Sequence, residues 1–307
     1  MHYLKLIPFV EQNRDKIDWE FLSSNPKAIH LLEQNPDKIA WDWLSENSSP
    51  GAISLLEQNQ DKIDWSALSA NSGAIRILEQ NQEKIEWDNL CINPSPEVIA
   101  LLEKNKDKIN WFLLSANIST GAISLLEQNP DKICWQFLSR NPTAISLLEK
   151  NPDKICWASL SGNPSPGAIS FLEKNPDKIC WASLSGNPIP RAISLLKKNQ
   201  EKINWELLSR NPDPGAVSIL EQNRNNIHWV WLSGNPSAID LLEKNPDEIN
   251  WCFMSGNSSI FTYDYDAMKK HIYESGIAEQ LMQNRFHPKN LGKMEGWGFD
   301  SVLSEIV

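Results

Sequence analysis

The sequence predicts an all-α, right-handed solenoid of about eleven short, two-segment helical repeats, followed by a helical C-terminal cap. Three observations support this fold class: a tryptophan recurs at spacings of only 22 or 24 residues, an amphipathic segment precedes it, and the pattern stops at Asn257. A fixed period of this size is typical of arrays in which each unit packs on its neighbours. We therefore expect residues 1–257 to form the array and residues 258–307 to form a capping segment.

Eleven tryptophans, here called the register tryptophans, mark repeats 1 to 11. They are Trp19, Trp41, Trp65, Trp87, Trp111, Trp135, Trp157, Trp181, Trp205, Trp229 and Trp251. A full unit, from Asn141 to Gly162, reads NPTAISLLEKNPDKICWASLSG. The 24-residue form has two extra residues, always near the first Asn-Pro. Because insertions are tolerated best in exposed loops, this point is predicted to be an exposed turn.

Each unit contains two segments, and both begin at an asparagine. Asn is a good N-cap and Pro suits the first helical position, so both asparagines are interpreted as helix starts. In the first segment, Ala52, Ile53, Leu55 and Leu56 share one helical face, which predicts a short amphipathic helix. The second segment fits either another α-helix or an extended Lys-Ile step followed by a 3₁₀ or α turn. A β-solenoid is disfavoured, because Ala-Ile-x-Leu-Leu-Glu lacks the alternation of a strand.

Charge and hydropathy exclude several classes of partner. The formal net charge is −10, and the 29 Lys and Arg residues are evenly spaced, whereas nucleic acids and anionic membranes select clustered basic residues. No apolar run approaches the roughly 20 residues that span a bilayer. The N-terminus, MHYLKLIPFVEQN, does not resemble a signal peptide. We expect a protein partner, with neither nucleic acid nor membrane bound.

No motif for catalysis, cofactor or metal is present. The five cysteines are odd in number and lack C-x-x-C spacing, so reduced structural thiols are expected. No nucleotide-binding, zinc-protease or serine-hydrolase motif occurs. The serine of Leu-Ser recurs in nearly every repeat, which favours a local backbone hydrogen bond over a nucleophile. The enzymatic alternative requires a site in the tail among Asp264, Asp266, His271 and His287, whose spacing matches no known catalytic pattern.

The tandem unit NPxAIxLLExNPDKIxWxxLSxN resembles a repeat found in proteins of the giant nucleocytoplasmic DNA viruses. Those arrays often end with an acidic-aromatic stretch, a Met-containing helix and a His-Pro step, and residues 263–269 and His287-Pro288 are similar to that ending. A weaker similarity is to the leucine-rich variant repeat, which alternates α- and 3₁₀-helices. The resemblance implies a helical solenoid of viral origin, located in the cytoplasm of an infected cell or in the virion. It implies no activity for any residue.

The positions that vary between repeats indicate where a partner binds, because scaffold positions stay constant in repeat proteins. The register tryptophans are flanked by Ile and Leu at fixed offsets, so they are predicted to be core. Trp43 and Trp231 stand two residues after a register tryptophan, in a variable position. The candidate protein-contact residues are Trp43, Arg76, Glu86, His228, Trp231 and Asp240.

The predicted function is a non-catalytic scaffold for protein–protein interactions. The alternative is a minor structural component of a virus particle that binds capsid proteins. An open array of eleven layers spaced by about 8–10 Å would be roughly 90–110 Å long.

Overall fold

The computed structural model describes residues 3–277, 279, 280 and 283. The chain divides into a repeat unit, Ile7–Ile260, and a second unit formed by Met1–Leu6 and Phe261–Val307. Each repeat contains a first helix, a one-turn 3₁₀-helix and a helix that begins at the register tryptophan, here called the Trp helix. The predicted all-α repeat architecture is confirmed.

The first helices have odd numbers in chain order. They are α1 (Pro8–Glu11), α3 (Ile29–Gln34), α5 (Pro50–Gln58), α7 (Ile75–Gln80), α9 (Val98–Lys104), α11 (Thr120–Gln128), α13 (Ile145–Lys150), α15 (Pro166–Lys174), α17 (Pro190–Lys198), α19 (Pro214–Gln222) and α21 (Ile239–Glu243). The Trp helices have even numbers: α2 (Trp19–Ser23), α4 (Trp41–Glu46), α6 (Trp65–Ala70), α8 (Trp87–Ile92), α10 (Trp111–Leu114), α12 (Trp135–Arg140), α14 (Trp157–Ser161), α16 (Trp181–Ser185), α18 (Trp205–Arg210), α20 (Trp229–Ser233) and α22 (Trp251–Gly256).

The 3₁₀-helices that connect the two are Arg14–Lys16, Pro36–Lys38, Gln60–Lys62, Gln82–Lys84, Lys106–Lys108, Pro130–Lys132, Pro152–Lys154, Pro176–Lys178, Gln200–Lys202, Arg224–Asn226 and Pro246–Glu248. After each of them an isoleucine is extended, as Ile63 is with φ −67° and ψ 128°. The second predicted alternative for this segment, an extended Lys-Ile step before a 3₁₀ or α turn, is therefore confirmed in part: the α turn begins at the tryptophan, but the extended residues are the isoleucine and the one after it, such as Ile63 and Asp64, whereas Lys62 ends the 3₁₀-helix. Two more 3₁₀-helices are Pro142–Ala144 and Ser258–Ile260.

In the second unit, the strands β1 (Leu4–Leu6) and β2 (Phe261–Tyr263) pair antiparallel, with Leu4 opposite Tyr263. The helix α23 (Tyr265–Glu274) follows β2. Asp264 is its N-cap and accepts from the backbone N–H of Ala267 at 3.2 Å. The described part of the predicted capping segment, residues 258–307, contains α23, and His287-Pro288 lies outside the described residues.

The insertion in the 24-residue form lengthens a helix, which differs from the predicted exposed turn. The first helix of repeat 3, Pro50–Gln58, has nine residues, against six in Ile29–Gln34 of repeat 2. Pro50 occupies the first helical position, and the hydroxyl of Ser49 accepts from the backbone N–H of Ala52 at 3.4 Å. The extra residues therefore add a capped turn to the start of the first helix, because Ser and Pro favour that start.

The core is a line of leucines rather than of tryptophans. The residue three positions after each register tryptophan, such as Leu68, has no exposed surface, and neither has the second leucine of most first helices, such as Leu56. Every register tryptophan is only half-buried, so the prediction that these tryptophans are core is wrong. The lysine of the next 3₁₀-helix covers one face of the indole in several repeats, as Lys62 does 4.5 Å from the ring centroid of Trp41. Such cation–π contacts stabilise a partly exposed ring.

The two asparagines of each unit have separate roles, and the prediction that both cap helix starts is correct only in part. In most repeats the side-chain oxygen of the first accepts from the backbone N–H two residues later, as in Asn71 at 2.9 Å, whereas the second precedes the 3₁₀-helix without a side-chain capping bond. The second one, such as Asn59, donates from its side-chain amide to the backbone oxygen of Leu55 at 2.8 Å and so closes the end of the first helix. The first one, such as Asn71, is buried and donates to the backbone oxygens of Ser45 and Asn47, at the end of the preceding Trp helix α4. This amide satisfies buried carbonyls between repeats, which would otherwise cost free energy.

The recurring serine also links repeats. Ser45 donates to the backbone oxygen of Trp41 at 2.7 Å and accepts from the backbone N–H of Asp64 in the next repeat at 3.1 Å. The predicted local hydrogen bond is confirmed, and the second bond was not foreseen. In repeat 4 the position is occupied by Cys91, whose sulfur accepts from Asn110 N–H at 3.3 Å, and burial raises the pKa of this thiol.

Repeat 11 makes these same contacts with repeat 1. Ser255 Oγ accepts from Asp18 N–H at 2.9 Å, and Asn25 donates to the backbone oxygens of Ser255 and Asn257, both at 3.2 Å. The Trp helices α22 and α2 pack together as successive Trp helices do. We call this contact the closing interface. The repeat unit is therefore a closed ring, and the expectation of an open, elongated array is wrong.

The last apolar face of the array is covered by the first repeat at this interface. The ring of Phe9 stacks on Trp251, with centroids 5.9 Å apart, and Phe21 contacts Phe253 at 5.4 Å. An open solenoid needs an atypical terminal cap for that face. In the ring, this role belongs to repeat 1.

Candidate protein-binding face

Four positions in or beside each Trp helix are called here the variable face: the residue before the register tryptophan, and the first, second and fifth residues after it. In repeat 2 they are Ala40, Asp42, Trp43 and Glu46. No residue at these positions is buried in any repeat. The scaffold residues between them, such as Leu44 and Ser45, have no exposed surface. The variable face can therefore change in sequence without changing the core.

Four aromatic rings form a row on this face across the closing interface. They are Trp231, Phe253, Phe21 and Trp43, from repeats 10, 11, 1 and 2. Successive centroids are 5.0, 5.4 and 4.8 Å apart, and each side chain is half-buried. All four occupy the second position after a register tryptophan. We call them the aromatic row.

Carboxylates flank the aromatic row, one in repeat 9 and seven in repeats 1 to 4, with none at these positions in repeats 10 and 11. We define the acidic-aromatic arc as the variable face of repeats 9, 10, 11 and 1 to 4, which are consecutive in the ring. Its acidic residues are Asp18, Glu20, Asp42, Glu46, Asp64, Glu86, Asp88 and Glu206, and Arg210 is its single Lys or Arg residue. The remaining repeats, 5 to 8, form the neutral arc, where these positions have no acidic residue and Arg140 is the single basic one.

Part of the row is held by the chain itself. The indole N–H of Trp231 donates to Glu206 Oε1 at 3.0 Å, and the guanidinium of Arg210 lies 4.2 Å from the Trp231 ring centroid. The His228 ring lies 6.2 Å from that of Trp231. At this end, a cation and a carboxylate therefore already surround an indole.

A cavity of about 630 Å³ adjoins the other end of the row, beside Trp43. Its lining includes Asp42, Glu46 and Asp64, and the small side chains of Ala67 and Ala70. Ala67 occupies the position that holds Trp43 in the preceding repeat, so a methyl group replaces an indole there. The cavity exists because this side chain is small.

Four of the six predicted contact residues lie on the variable face: Trp43, Glu86, His228 and Trp231. Sequence reasoning selected Trp43 and Trp231 and missed Phe21 and Phe253, which connect them. The same second position in repeats 1 and 11 would have identified both phenylalanines, had the array been treated as circular.

The other two predicted contact residues lie elsewhere. Arg76 and Asp240 are exposed, but they belong to the first helices α7 and α21. They do not share a surface with the aromatic row. The variable position after the first isoleucine of a unit therefore lies on the first helix, whereas the variable positions around the tryptophan lie on or beside the Trp helix.

Two thiols of the variable face have opposite environments. A hydrogen bond with the Asp18 carboxylate raises the pKa of Cys252, because the carboxylate favours the protonated thiol. The hydroxyl of Ser183 lies 3.5 Å from the sulfur of Cys180 and lowers the pKa of that thiol. Cys134, Cys156 and Cys180, which recur in successive repeats, are free thiols, as are Cys91 and Cys252.

Two of the tail residues considered for an enzymatic site, Asp264 and His271, make contacts within the second unit. Asp264 accepts from Lys5 Nζ at 3.2 Å, and the bond to Ala267 N–H, together with this one, lowers the pKa of Asp264. The His271 ring lies 5.9 Å from that of Tyr3. Within the described residues, no cluster of His, Cys, Asp or Glu is arranged to hold a metal ion. None of the described helices combines the length and hydropathy needed to cross a membrane.

Comparison with protein-family models, with curated proteins and with solved structures finds no match to this chain. The candidate site is therefore defined by its own geometry. It consists of a half-exposed aromatic row, carboxylates in the repeats that flank it and a cavity beside Trp43.

Proposed function

We propose that this protein is a non-catalytic scaffold that binds a protein partner through its acidic-aromatic arc. The observation that supports this most directly is the aromatic row, in which four large rings remain partly exposed and adjacent. Aromatic residues are enriched at the centres of protein interfaces, where they supply much of the binding free energy. Contiguous exposed apolar surface of this kind marks an interaction site more often than a structural one.

The constancy of the scaffold supports the same function. The buried residues of the Trp helices are almost invariant between repeats, whereas the variable face changes from aromatic and acidic in repeats 1 and 2 to small and uncharged in repeats 7 and 8. A solenoid uses such variation on a repeated frame to build an extended binding surface. The fold of the repeat does not require a tryptophan at position 43, because Ala67 and Ser159 occupy the equivalent position in repeats 3 and 7.

The test compares the parent chain with the double variant Trp43→Ala/Trp231→Ala. Partners captured by the parent are identified, purified and measured for binding by calorimetry. We expect the double variant to weaken binding by at least about 100-fold, because interface tryptophans often contribute about 2 kcal/mol or more each. Thermal melting establishes that both chains are folded.

The matched control is Leu113→Ala, which changes the same position in the neutral arc. It should leave the affinity within about twofold, since side chains outside an interface contribute little to binding. Equal affinities for the parent and the double variant would refute the proposed surface.

A further inference from the structure

We infer that the segment bound at the Trp43 end of the aromatic row is basic, and that one of its Lys or Arg side chains enters the cavity beside Trp43. This inference rests on the proposed function and specifies the chemistry of the partner. It follows from the shape of the cavity, the charges that line it and the way the chain's own cations bind indole rings.

The cavity combines an aromatic wall with carboxylates. Trp43 lies at one side, and Asp42, Glu46 and Asp64 lie around it. The backbone N–H of Ala67 donates to one Asp64 oxygen at 2.9 Å, which fixes the orientation of that carboxylate as the N-cap of α6. An aromatic face together with carboxylates is the arrangement that binds ammonium and guanidinium groups.

The carboxylates of Asp42 and Glu46 have no ion-pair partner among the described residues. They are four residues apart on α4, so they lie on the same side of the helix. Like charges at this spacing repel each other and destabilise a helix slightly. A cation bound between them relieves the repulsion, and this favours a basic ligand.

The chain shows elsewhere how its indoles bind cations. Arg210 lies over Trp231, at the opposite end of the row, 4.2 Å from the ring centroid. Lys38 lies over Trp19 at 4.5 Å, and six more lysines lie over register tryptophans in the same manner. In the described part of the chain, no Lys or Arg occupies this position over Trp43. A cation supplied by the partner would complete the pattern.

The negative charge of the acidic-aromatic arc also favours a basic ligand. The variable face of repeats 1 to 4 contains seven carboxylates and no Lys or Arg, so a basic segment following the row beyond Trp43 passes further carboxylates. Electrostatic complementarity of this kind favours the correct partner and accelerates association. An acidic segment would be repelled along the same path.

The experiment uses a labelled peptide of alternating Lys and Gly residues as the basic probe and the Glu-Gly peptide of equal length as its counterpart. Binding to the full chain is measured by fluorescence anisotropy at low and at physiological salt. We expect the Lys peptide to bind and the Glu peptide not to bind. The triple variant Asp42→Asn/Glu46→Gln/Asp64→Asn should weaken binding of the Lys peptide by about tenfold or more, because charge-assisted contacts are lost. Asparagine is as good an N-cap as aspartate, so the substitution of Asp64 retains the start of α6 and the fold.

A general attraction between a basic peptide and an acidic protein is excluded by a second triple variant, Asp131→Asn/Asp177→Asn/Glu201→Gln. It removes the same charge from exposed positions outside the variable face, and we expect it to change the affinity by less than about twofold. Equal weakening by both triple variants would overturn the inference. Trp43→Ala should weaken binding by about fivefold and Trp43→Phe by less, since indole is the better cation–π ring.

The outcome also separates this inference from the proposed function. If the Lys peptide does not bind, while a captured partner still depends on Trp43 and Trp231, then the surface is correct and the basic ligand is wrong. If neither the peptide nor any partner depends on these residues, then the proposed function fails as well.

Discussion

The acidic-aromatic arc and the neutral arc are built on the same scaffold, yet they differ in the charge of the variable face and in most of its side chains. In the neutral arc, the segment Trp157–Gly162 is identical to Trp181–Gly186, and its variable positions hold Cys, Ala, Ser and Gly. In the acidic-aromatic arc, the same positions hold aromatic rings and carboxylates. Both arcs nevertheless place a fully buried leucine three residues after the register tryptophan, as Leu160 and Leu22 show. The comparison shows that the buried leucines that hold the ring together are common to both arcs. The side chains of the variable face can therefore differ between repeats, and can be selected for binding, without a change in the core.

The largest expected effect tests whether the two arcs share one core. Leu22→Ala in the acidic-aromatic arc and Leu160→Ala in the neutral arc should each lower the free energy of unfolding by about 2–5 kcal/mol, because each leaves a cavity in a closely packed site. Chemical denaturation monitored by circular dichroism measures both. A large effect for Leu160 and almost none for Leu22 would show that the closing interface is not formed in solution.

The next effect concerns the buried asparagines. Asn25 donates two hydrogen bonds across the closing interface and accepts one from Lys27 N–H. Asn163 in the neutral arc donates two, but its side-chain oxygen has no partner. Asn25→Ala should therefore cost about 1 kcal/mol more than Asn163→Ala, the value of one hydrogen bond.

Denaturant unfolding of the two variants gives this difference directly. Conversely, a smaller loss for Asn25→Ala would show that the amide bonds of the closing interface contribute less than those between sequential repeats. The comparison of the arcs would then have to include a difference in stability as well as in surface chemistry.

A smaller effect distinguishes ring contacts made for stability from those available for binding. Trp231 and Phe253 meet edge to face at 5.0 Å, and in the neutral arc Phe112 and Phe137 meet in the same manner at 4.4 Å. Double-mutant cycles to alanine should give a coupling free energy of about 0.5–1.5 kcal/mol for each pair. Partner binding should depend only on the first pair. If both pairs affect binding equally, the division of the face into two arcs has no functional meaning.

The smallest effect is on thiol reactivity. The pKa of Cys252 is raised by Asp18, whereas the pKa of Cys180 is lowered by Ser183. Because the thiolate is the reactive form, Cys180 should be alkylated faster than Cys252 at mildly alkaline pH, and its reaction should begin at lower pH.

Iodoacetamide labelling followed by mass spectrometry measures both rates across the pH range. Asp18→Asn should accelerate alkylation of Cys252 and leave Cys180 unchanged, since it removes the carboxylate that favours the protonated thiol. The same rate for Cys252 in this variant and in the parent would show that Asp18 does not control its environment.

The local structure of a repeat was predictable because it depends on nearby residues. The spacing of Ala52, Ile53, Leu55 and Leu56 predicted the first helix, and the serine of Leu-Ser was correctly assigned to a backbone hydrogen bond. The role of the first asparagine was not predictable, because the amide of Asn71 bonds to a repeat 24 residues earlier. Its sequence context is the same as that of an N-cap.

The burial of the register tryptophans was also mispredicted, for a related reason. Fixed Ile and Leu neighbours are typical of a core position, yet the indole of Trp41 is covered by Lys62 from the following unit and remains half-exposed. A long Lys stem can cover an apolar ring while its charge remains in water. Only the packing of successive repeats shows which side of the indole is covered.

The sequence by itself determined the repeat, its first helical segment and the presence of Trp43 and Trp231 in variable positions. Only the tertiary structure shows that the array closes into a ring. The closure brings repeats 11 and 1 together and so assembles the candidate site. A full turn shared by eleven repeats is about 33° per repeat, a rotation set by many small packing distances and not by any residue pattern within one unit. Because this rotation adds up around the ring, Phe253 meets Phe21, and two tryptophans 188 positions apart in sequence become the ends of one aromatic row.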